Sequence, residues 1–473
     1  MYIKSFRVKN LKCFADLEID FSKRTEDNPD SQSNWNVILG DNGYGKSALL
    51  QALAVCLMNT TIADRMAKPN TWIRRAKGPT VEFAELNLVL VQEEKVSGEK
   101  KFDVSQGPKS SAGNMERTVV YRIVQVNPST ARVALAEEPS TKDIEILSKT
   151  AFAGKPRKGW ISCGYGPFRR VYGFSNETAT IQDPLQKRFI TLFNEGASLH
   201  ECERWLKELE RKAIKSKQGS RQRQDLGEAQ QVICGLLPGV GKISIGKSVA
   251  DSNEDRVIFW YGNDSEDATH REEFFSLDNL SDGYRSMFAL IIDMLSWFLT
   301  LRTDSSIPLH EVPGVVLIDE IDAHLHPLWQ TQAGYLLTRT FPNVQFIVAT
   351  HSPYVAMAAG QHALFKLGRD GNSIVAHPQE YVRGWPVDQV LKEIFGVGIR
   401  DQDTEEKLRR YDELSGFAQQ RPLNQQERDE YERLEEELKL RLSEAEDFRE
   451  QQLIYQDTAA LIEMARARKQ GWQ

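Results

Sequence analysis

The chain is 473 residues long, 40% hydrophobic, with a formal net charge of −7 and five cysteines. That length buries a sizeable core in one large domain or several ordinary ones. No run approaches the roughly 18 apolar residues that span a bilayer, and the opening MYIKSFRVKN lacks a signal peptide's apolar stretch, so a cytoplasmic protein without membrane contact is expected. Cys13, Cys56, Cys163, Cys202 and Cys234 are odd in number and form no C-x-x-C pair, so they read as reduced thiols.

Strand-like runs open the chain, YIKSFRV and LEIDF, followed by a polar loop over 23–34 and the apolar strand WNVIL at 35–39. A glycine-rich turn then leads into ALLQALAVCLM, a helix ending near Met58. Residues 80–93 and 117–137 read as β-ribbons separated by a Lys/Ser/Gly-rich loop, and 184–236 as a short helical pair. Strands are expected at 241–249 and 256–261, a helix over Asp282–Leu301, and buried strands at 314–319, 344–349 and 363–367. From about residue 400 the chain is helical and charged. Residues 401–473 hold 19 acidic and 12 basic side chains, against 48 of each before them. The body is therefore neutral, and contact with DNA or RNA would need a local basic patch.

Gly40-Asp41-Asn42-Gly43-Tyr44-Gly45-Lys46-Ser47 fits G-x-x-x-x-G-K-[ST] and lies between a strand and a helix, where that motif belongs. Its backbone N–H groups and the helix dipole suit phosphates, with Lys46 expected on the β and γ phosphates and Ser47 on magnesium. ATP and Mg2+ are thus the expected ligands, held by Gly40, Asn42, Gly43, Gly45, Lys46, Ser47 and Ala48. In Val315-Val316-Leu317-Ile318-Asp319-Glu320 an apolar strand delivers two carboxylates at its carboxyl end, where α/β sheets bind ligands. Asp319 is expected to order magnesium and Glu320 to polarise the attacking water.

Leu280-Ser281-Asp282-Gly283-Tyr284-Arg285-Ser286 precedes this strand end and resembles the LSGGQ signature of ABC-type ATPases, departing from it at Asp282 and Tyr284. The resemblance implies that Ser281 and Gly283 meet the γ-phosphate in a second subunit. Ala349-Thr350-His351-Ser352-Pro353 resembles the family's switch histidine, which makes His351 a γ-phosphate contact. Asp322-Ala323-His324-Leu325-His326-Pro327 occupies the place of the D-loop; its two histidines, without a third ligand at zinc-site spacing, read as structural. The family's Q-loop glutamine is not assigned. Gly164-Tyr165-Gly166-Pro167-Phe168-Arg169-Arg170 reads as an aromatic and arginine-rich turn suited to nucleotide, to nucleic acid or simply to a join between domains. The basic run Arg211, Lys212, Lys215, Lys217, Arg221 and Arg223 is a candidate for phosphate-backbone contact set against a plain solvated face.

The opening strands resemble SMC-like and OLD-like ATPases over roughly residues 1–370. The short insertion and charged tail resemble the PtuA-like ATPases of Septu and retron anti-phage systems. The implied fold is α/β, an ABC/SMC-like head with a mixed P-loop sheet flanked by helices, and an antiparallel N-terminal β-subdomain. Expected boundaries are an N-terminal lobe 1–180, a helical insertion 181–240, a C-terminal lobe 241–400 and a partner-binding tail 401–473. In the tail, Tyr431, Leu434, Leu438, Leu442 and Ala445 form an apolar seam that needs a covering surface. The resemblance implies an ATPase acting as a homodimer or higher homo-oligomer that gates a separate nuclease, HNH type favoured, since this chain has no HNH or TOPRIM cluster. The alternative is a DNA-repair or chromosome-maintenance head acting on DNA.

Overall fold

The computed structural model describes residues 2–21, 34–74, 83–92, 115–127, 130–135, 160–170, 183–199, 201–237, 239–247, 255–261, 274–302, 307–398 and 400–442. These fall into two units, 1–387 and 388–473, each described by itself.

Tyr2–Leu11 (β1) and Phe14–Asp20 (β2) pair antiparallel around the tight turn at Lys12-Cys13. Phe83–Gln92 (β4), Met115–Asn127 (β5) and Thr130–Leu135 (β6) extend them into a five-stranded antiparallel sheet of order β2-β1-β4-β5-β6. Alternation fixes which face is buried: Phe6, Val8, Leu86, Leu88 and Ile123 point into the core. The Lys/Ser/Gly-rich loop between the ribbons lies outside the described residues.

The second sheet has order β14-β13-β3-β12-β11-β7, built from Trp35–Leu39 (β3), Ile161–Tyr165 (β7), Gly314–Ile318 (β11), Val344–Ala349 (β12), Leu364–Asp370 (β13) and Ser373–Pro378 (β14). All neighbours are parallel except β13 and β14. Strands β3, β7, β11 and β12 are buried at every position, which explains their uninterrupted apolar runs. Strand β7 corrects the reading of 164–170 as a turn. Its first two residues and Cys163 lie inside the sheet, and Phe189 and Leu192 occupy the space a side chain at Gly164 would need.

Helix α1, Lys46–Cys56, is buried on almost every side because one core joins it to both sheets, through Leu49, Leu53, Leu88, Leu317 and Ile347. Each such apolar side chain contributes about 1.5–3 kcal/mol on burial. Helix α2 is Thr60–Ala67. The insertion is a hairpin, Glu201–Lys215 (α3) and Arg221–Leu236 (α4), followed by a small sheet of Val240–Lys247 (β8), Asp255–Tyr261 (β9) and Phe274–Ser276 (β10). Helix α5, Asp282–Leu301, is long and apolar enough by composition to cross a membrane, yet most of it is buried inside this unit. Helix α6 is Pro327–Thr340.

In the second unit, Gln402–Gln420 (α7) and Gln425–Arg441 (α8) fold back on one another. Leu408, Tyr411 and Leu414 meet Leu434 and Leu438, and the Tyr411 and Tyr431 rings stack at 4.6 Å. The apolar seam of the tail is therefore covered from within the same unit. Ala445 lies outside the described residues.

Candidate functional site

Parallel register decides which residues meet. Strands β3, β12, β11 and β7 end side by side, with Ala349 paired to Ile38 and Ile318 to both Val348 and Tyr165. The segments that leave these strands, Gly40–Ser47, Thr350–Ser352, Asp319–His326 and Gly166–Arg170, therefore share one edge of the sheet.

On that edge the loop after β3 carries Gly40, Gly43 and Gly45 at positive φ, with Gly45 (φ 86) as N-cap of α1. Gly45 is doubly constrained, since a Cβ there would lie 2.5 Å from Cys13 Sγ and 2.7 Å from Phe14 Cζ. Asn42 and Gly43 are exposed, Ser47 is half-buried and Ala48 buried. Lys46 is only 6% exposed. Its Nζ donates to the carbonyls of Gly40 at 2.7 Å and Asp41 at 3.3 Å, and lies 2.7 Å from His351 Nε2. Burial lowers the Lys46 pKa against the opposing pull of Asp319, Glu320 and Asp322. Burial and then the Lys46 charge lower that of His351, so His351 is the neutral acceptor in this contact.

Asp319 is 2% exposed, and its pKa is pushed up to about 6, chiefly by burial, against a hydrogen bond with Ser47 that lowers it. Its Oδ1 is buried without a hydrogen-bond partner. An orphaned carboxylate oxygen beside a hydroxyl is costly unless something takes it up, and the two are hard oxygen donors of the kind a divalent cation uses. Glu320 follows at φ 43, a left-handed conformation that costs a non-glycine residue about 1–2 kcal/mol.

Two side chains brace this turn. Arg169 donates to the carbonyls of Asp319, Glu320 and Ile321 at 3.0, 3.2 and 3.4 Å. From the other side Gln330 donates to the Leu325 carbonyl at 2.8 Å and accepts from Ser352 Oγ at 2.6 Å, while Thr350 Oγ1 donates to Asp322. Gln330 lies on a helix with no motif of its own and leaves no signal in the sequence, while the turn carrying Arg169 is open in the sequence between nucleotide, nucleic acid and a domain join.

Ser281 and Gly283 sit on a different element, the start of α5. Ser281 is its N-cap, accepting weakly from Tyr284 N at 3.5 Å, and is exposed. Gly283 packs on the His324 carbonyl so closely that a Cβ would overlap it, and Tyr284 meets Trp329 edge-to-face at 4.6 Å. His326 caps α6, its Nδ1 accepting from Leu328 N at 3.3 Å, and no group of three metal-ligating side chains occurs among the described residues. Arg211, Lys212, Lys215, Lys217, Arg221 and Arg223 are exposed around the connection between α3 and α4.

Residues 2–373, most of the chain, match the model of the RecF/RecN/SMC N-terminal domain family. The chain belongs to this family. It is 24% identical over 413 residues to the Septu protein PtuA of Bacillus mycoides (strain KBAB4), a match covering 87% of this chain and 47% of that protein. It thus spans about half the length of that relative. To the retron Vc95 probable ATPase of Vibrio cholerae serotype O1 biovar El Tor it is 25% identical over 363 residues, 69% of this chain and 67% of the relative. To the retron Ec83 probable ATPase of Escherichia coli it is 40% identical over 125 residues, 26% of this chain and 22% of the relative. A solved SMC head bound to the C-winged helix domain of ScpA aligns with 80% of this chain and 98% of its own, at 15% identity and a TM-score of 0.45.

Proposed function

We propose that this SMC-type head binds and hydrolyses ATP, that two copies close on the nucleotide, and that the closed pair gates a separate effector, a nuclease of HNH type in anti-phage defence. The observation that carries the hydrolytic part is the bare, buried Asp319 Oδ1 beside Ser47, with Lys46, Glu320 and His351 on the same sheet edge. The defence part rests on the likeness to Septu and retron proteins.

In this reading the loop 40–48 wraps the phosphates with backbone N–H groups, and Lys46 exchanges its contacts with Gly40, Asp41 and His351 for phosphate oxygens. Ser47 and Asp319 would hold Mg2+, which neutralises charge developing on the phosphates. Glu320 accepts a proton from the attacking water, and neutral His351 contacts the γ-phosphate. Ser281 and Gly283 reach the nucleotide of the other copy, and the helix N-terminus behind them favours negative charge.

Steady-state ATP hydrolysis by the purified chain and by Glu320→Gln, each with and without DNA, tests the reading. Loss of about 10²-fold or more in the variant is expected for a missing general base. Equal rates in the two proteins would refute it. Co-purification from the native operon is expected to recover the nuclease, and its absence would remove the effector part. The second reading, a DNA-repair or chromosome-maintenance head, is favoured by the exposed basic residues at the end of α3, the connection and the start of α4; it predicts turnover stimulated by DNA and lost with salt.

A further inference from the structure

We infer that Arg169 is a positioning residue: it holds Glu320 in its working geometry and locks that geometry to the helix carrying Ser281 and Gly283. The inference deepens the hydrolytic reading above and rests on it.

A guanidinium has five N–H donors in a planar fork. At Arg169 all five are used. Nε donates to Ser286 Oγ at 3.1 Å, Nη1 to the carbonyls of Gly166 and Asp319 at 3.0 Å each, and Nη2 to those of Glu320 at 3.2 Å and Ile321 at 3.4 Å. The side chain is 2% exposed, and burial brings its pKa down to about 10, so it stays charged at neutral pH.

Three successive carbonyls, 319 to 321, converge on one side chain. Strand geometry would send alternate carbonyls to opposite sides, and the left-handed bend at Glu320 breaks that alternation. The Arg169 fork satisfies the carbonyls that the bend turns inward, and thereby favours the bent backbone over an extended one. A lysine has no planar fork with which to span the same acceptors.

The remaining donor, Nε, reaches Ser286 on α5, five residues beyond Ser281. A second tie runs from the last residue of β7, as Tyr165 Oη donates to Asp293 Oδ2 at 2.9 Å, which also accepts from Trp297 Nε1 at 3.0 Å. Helix α5 and the Asp319–Ile321 turn are thus fastened to one short stretch, 165–169. When the start of α5 engages the nucleotide of a second copy, the displacement reaches Glu320 of its own chain through Arg169. The coupling is reciprocal, as any equilibrium coupling must be.

The test is a double-mutant cycle: single-turnover ATP hydrolysis and ATP binding for Arg169→Met, Arg169→Lys and Ser286→Ala, each alone and combined with Glu320→Gln. Arg169→Met is expected to slow hydrolysis about 10²-fold, the scale of misplacing a catalytic group by an ångström, while ATP affinity is kept. Arg169→Lys should not rescue it. In the Glu320→Gln background Arg169→Met should add no further loss, because it acts through that carboxylate. A merely structural role would slow both backgrounds alike and overturn the inference. Should Arg169→Met not fold, Ser286→Ala leaves the carbonyl bonds in place; it is expected to lower kcat with KM unchanged, and a wild-type kcat would overturn the coupling. Full activity in Arg169→Met, with loss in Glu320→Gln, would overturn this inference alone. No hydrolysis by the wild type would overturn both.

Discussion

Asp319 ends a strand that has no solvent to offer it, and its carboxyl is held up to about 6 by burial, where an exposed aspartate titrates near 3.9. Between those values the folded chain keeps a proton that the unfolded chain has released. Folding stability therefore falls as pH rises from about 4 to 6 and then stays low, at a cost of about 3 kcal/mol for this group. Other carboxylates slope the opposite way, such as Glu427 beside Arg421, so the contribution must be read as a difference between proteins. In chelator, Asp319→Asn is expected to be more stable than wild type at pH 7 and to lose that advantage near pH 4, measured by urea unfolding. Magnesium should narrow the gap at pH 7 by binding the wild type only. An advantage that does not change with pH would mean that the carboxyl is not strained by burial. The acid pair was legible in the sequence because an uninterrupted apolar run ends in two adjacent carboxylates. The orphaned Oδ1 was not, since it depends on what the neighbouring strands leave uncovered.

At the level of elements, Gly283 has a packing role that the resemblance of 280–286 to a signature motif conceals. It brings the first turn of α5 against the His324 carbonyl, and a methyl group there would overlap backbone that Arg169 and Gln330 hold in place. Gly283→Ala is expected to destabilise the protein by about 1–3 kcal/mol, the range for overpacking, seen as a lower thermal midpoint without nucleotide. An unchanged midpoint would leave contact with a second copy as the only reason for glycine. Elements with strong periodicity were readable in advance, among them α5 and the strands at 35–39, 314–318 and 344–349. Strand β7 was not, because Ser162, Cys163 and Gly164 carry little strand signal and two glycines read as a turn. It is a strand because β11 offers an edge with matching register and Phe189 and Leu192 fill the space beside Gly164.

For the whole molecule, the placement of Ser281 on α5 and Lys46 on α1 makes a direct test of a shared site possible. Lys46→Ala and Ser281→Arg are each expected to be inactive alone. Mixed in equal amounts, they should recover up to about a quarter of wild-type turnover if two-fold pairs form, since half the pairs are mixed and each keeps one intact site. No recovery, with mass measurements showing that mixed pairs exist, would count against a site shared between copies. The sequence by itself determined the parts: a glycine-rich loop at a strand-to-helix turn, an acid pair at a strand end, a histidine after a strand, and a helical tail with an apolar seam; that the seam is covered from within its own unit came from the structure. Each depends on residues close together in the chain, where periodicity and short spacings carry the information. Only the tertiary structure decided that β7 completes the parallel sheet, that Arg169 directs four of its five donors to the Glu320 turn and α5 and the fifth to the Gly166 carbonyl, and that Gln330 holds the loop after that turn. Those contacts join residues more than a hundred positions apart, or depend on a side chain's direction, and parallel pairing at a sheet edge leaves no local trace.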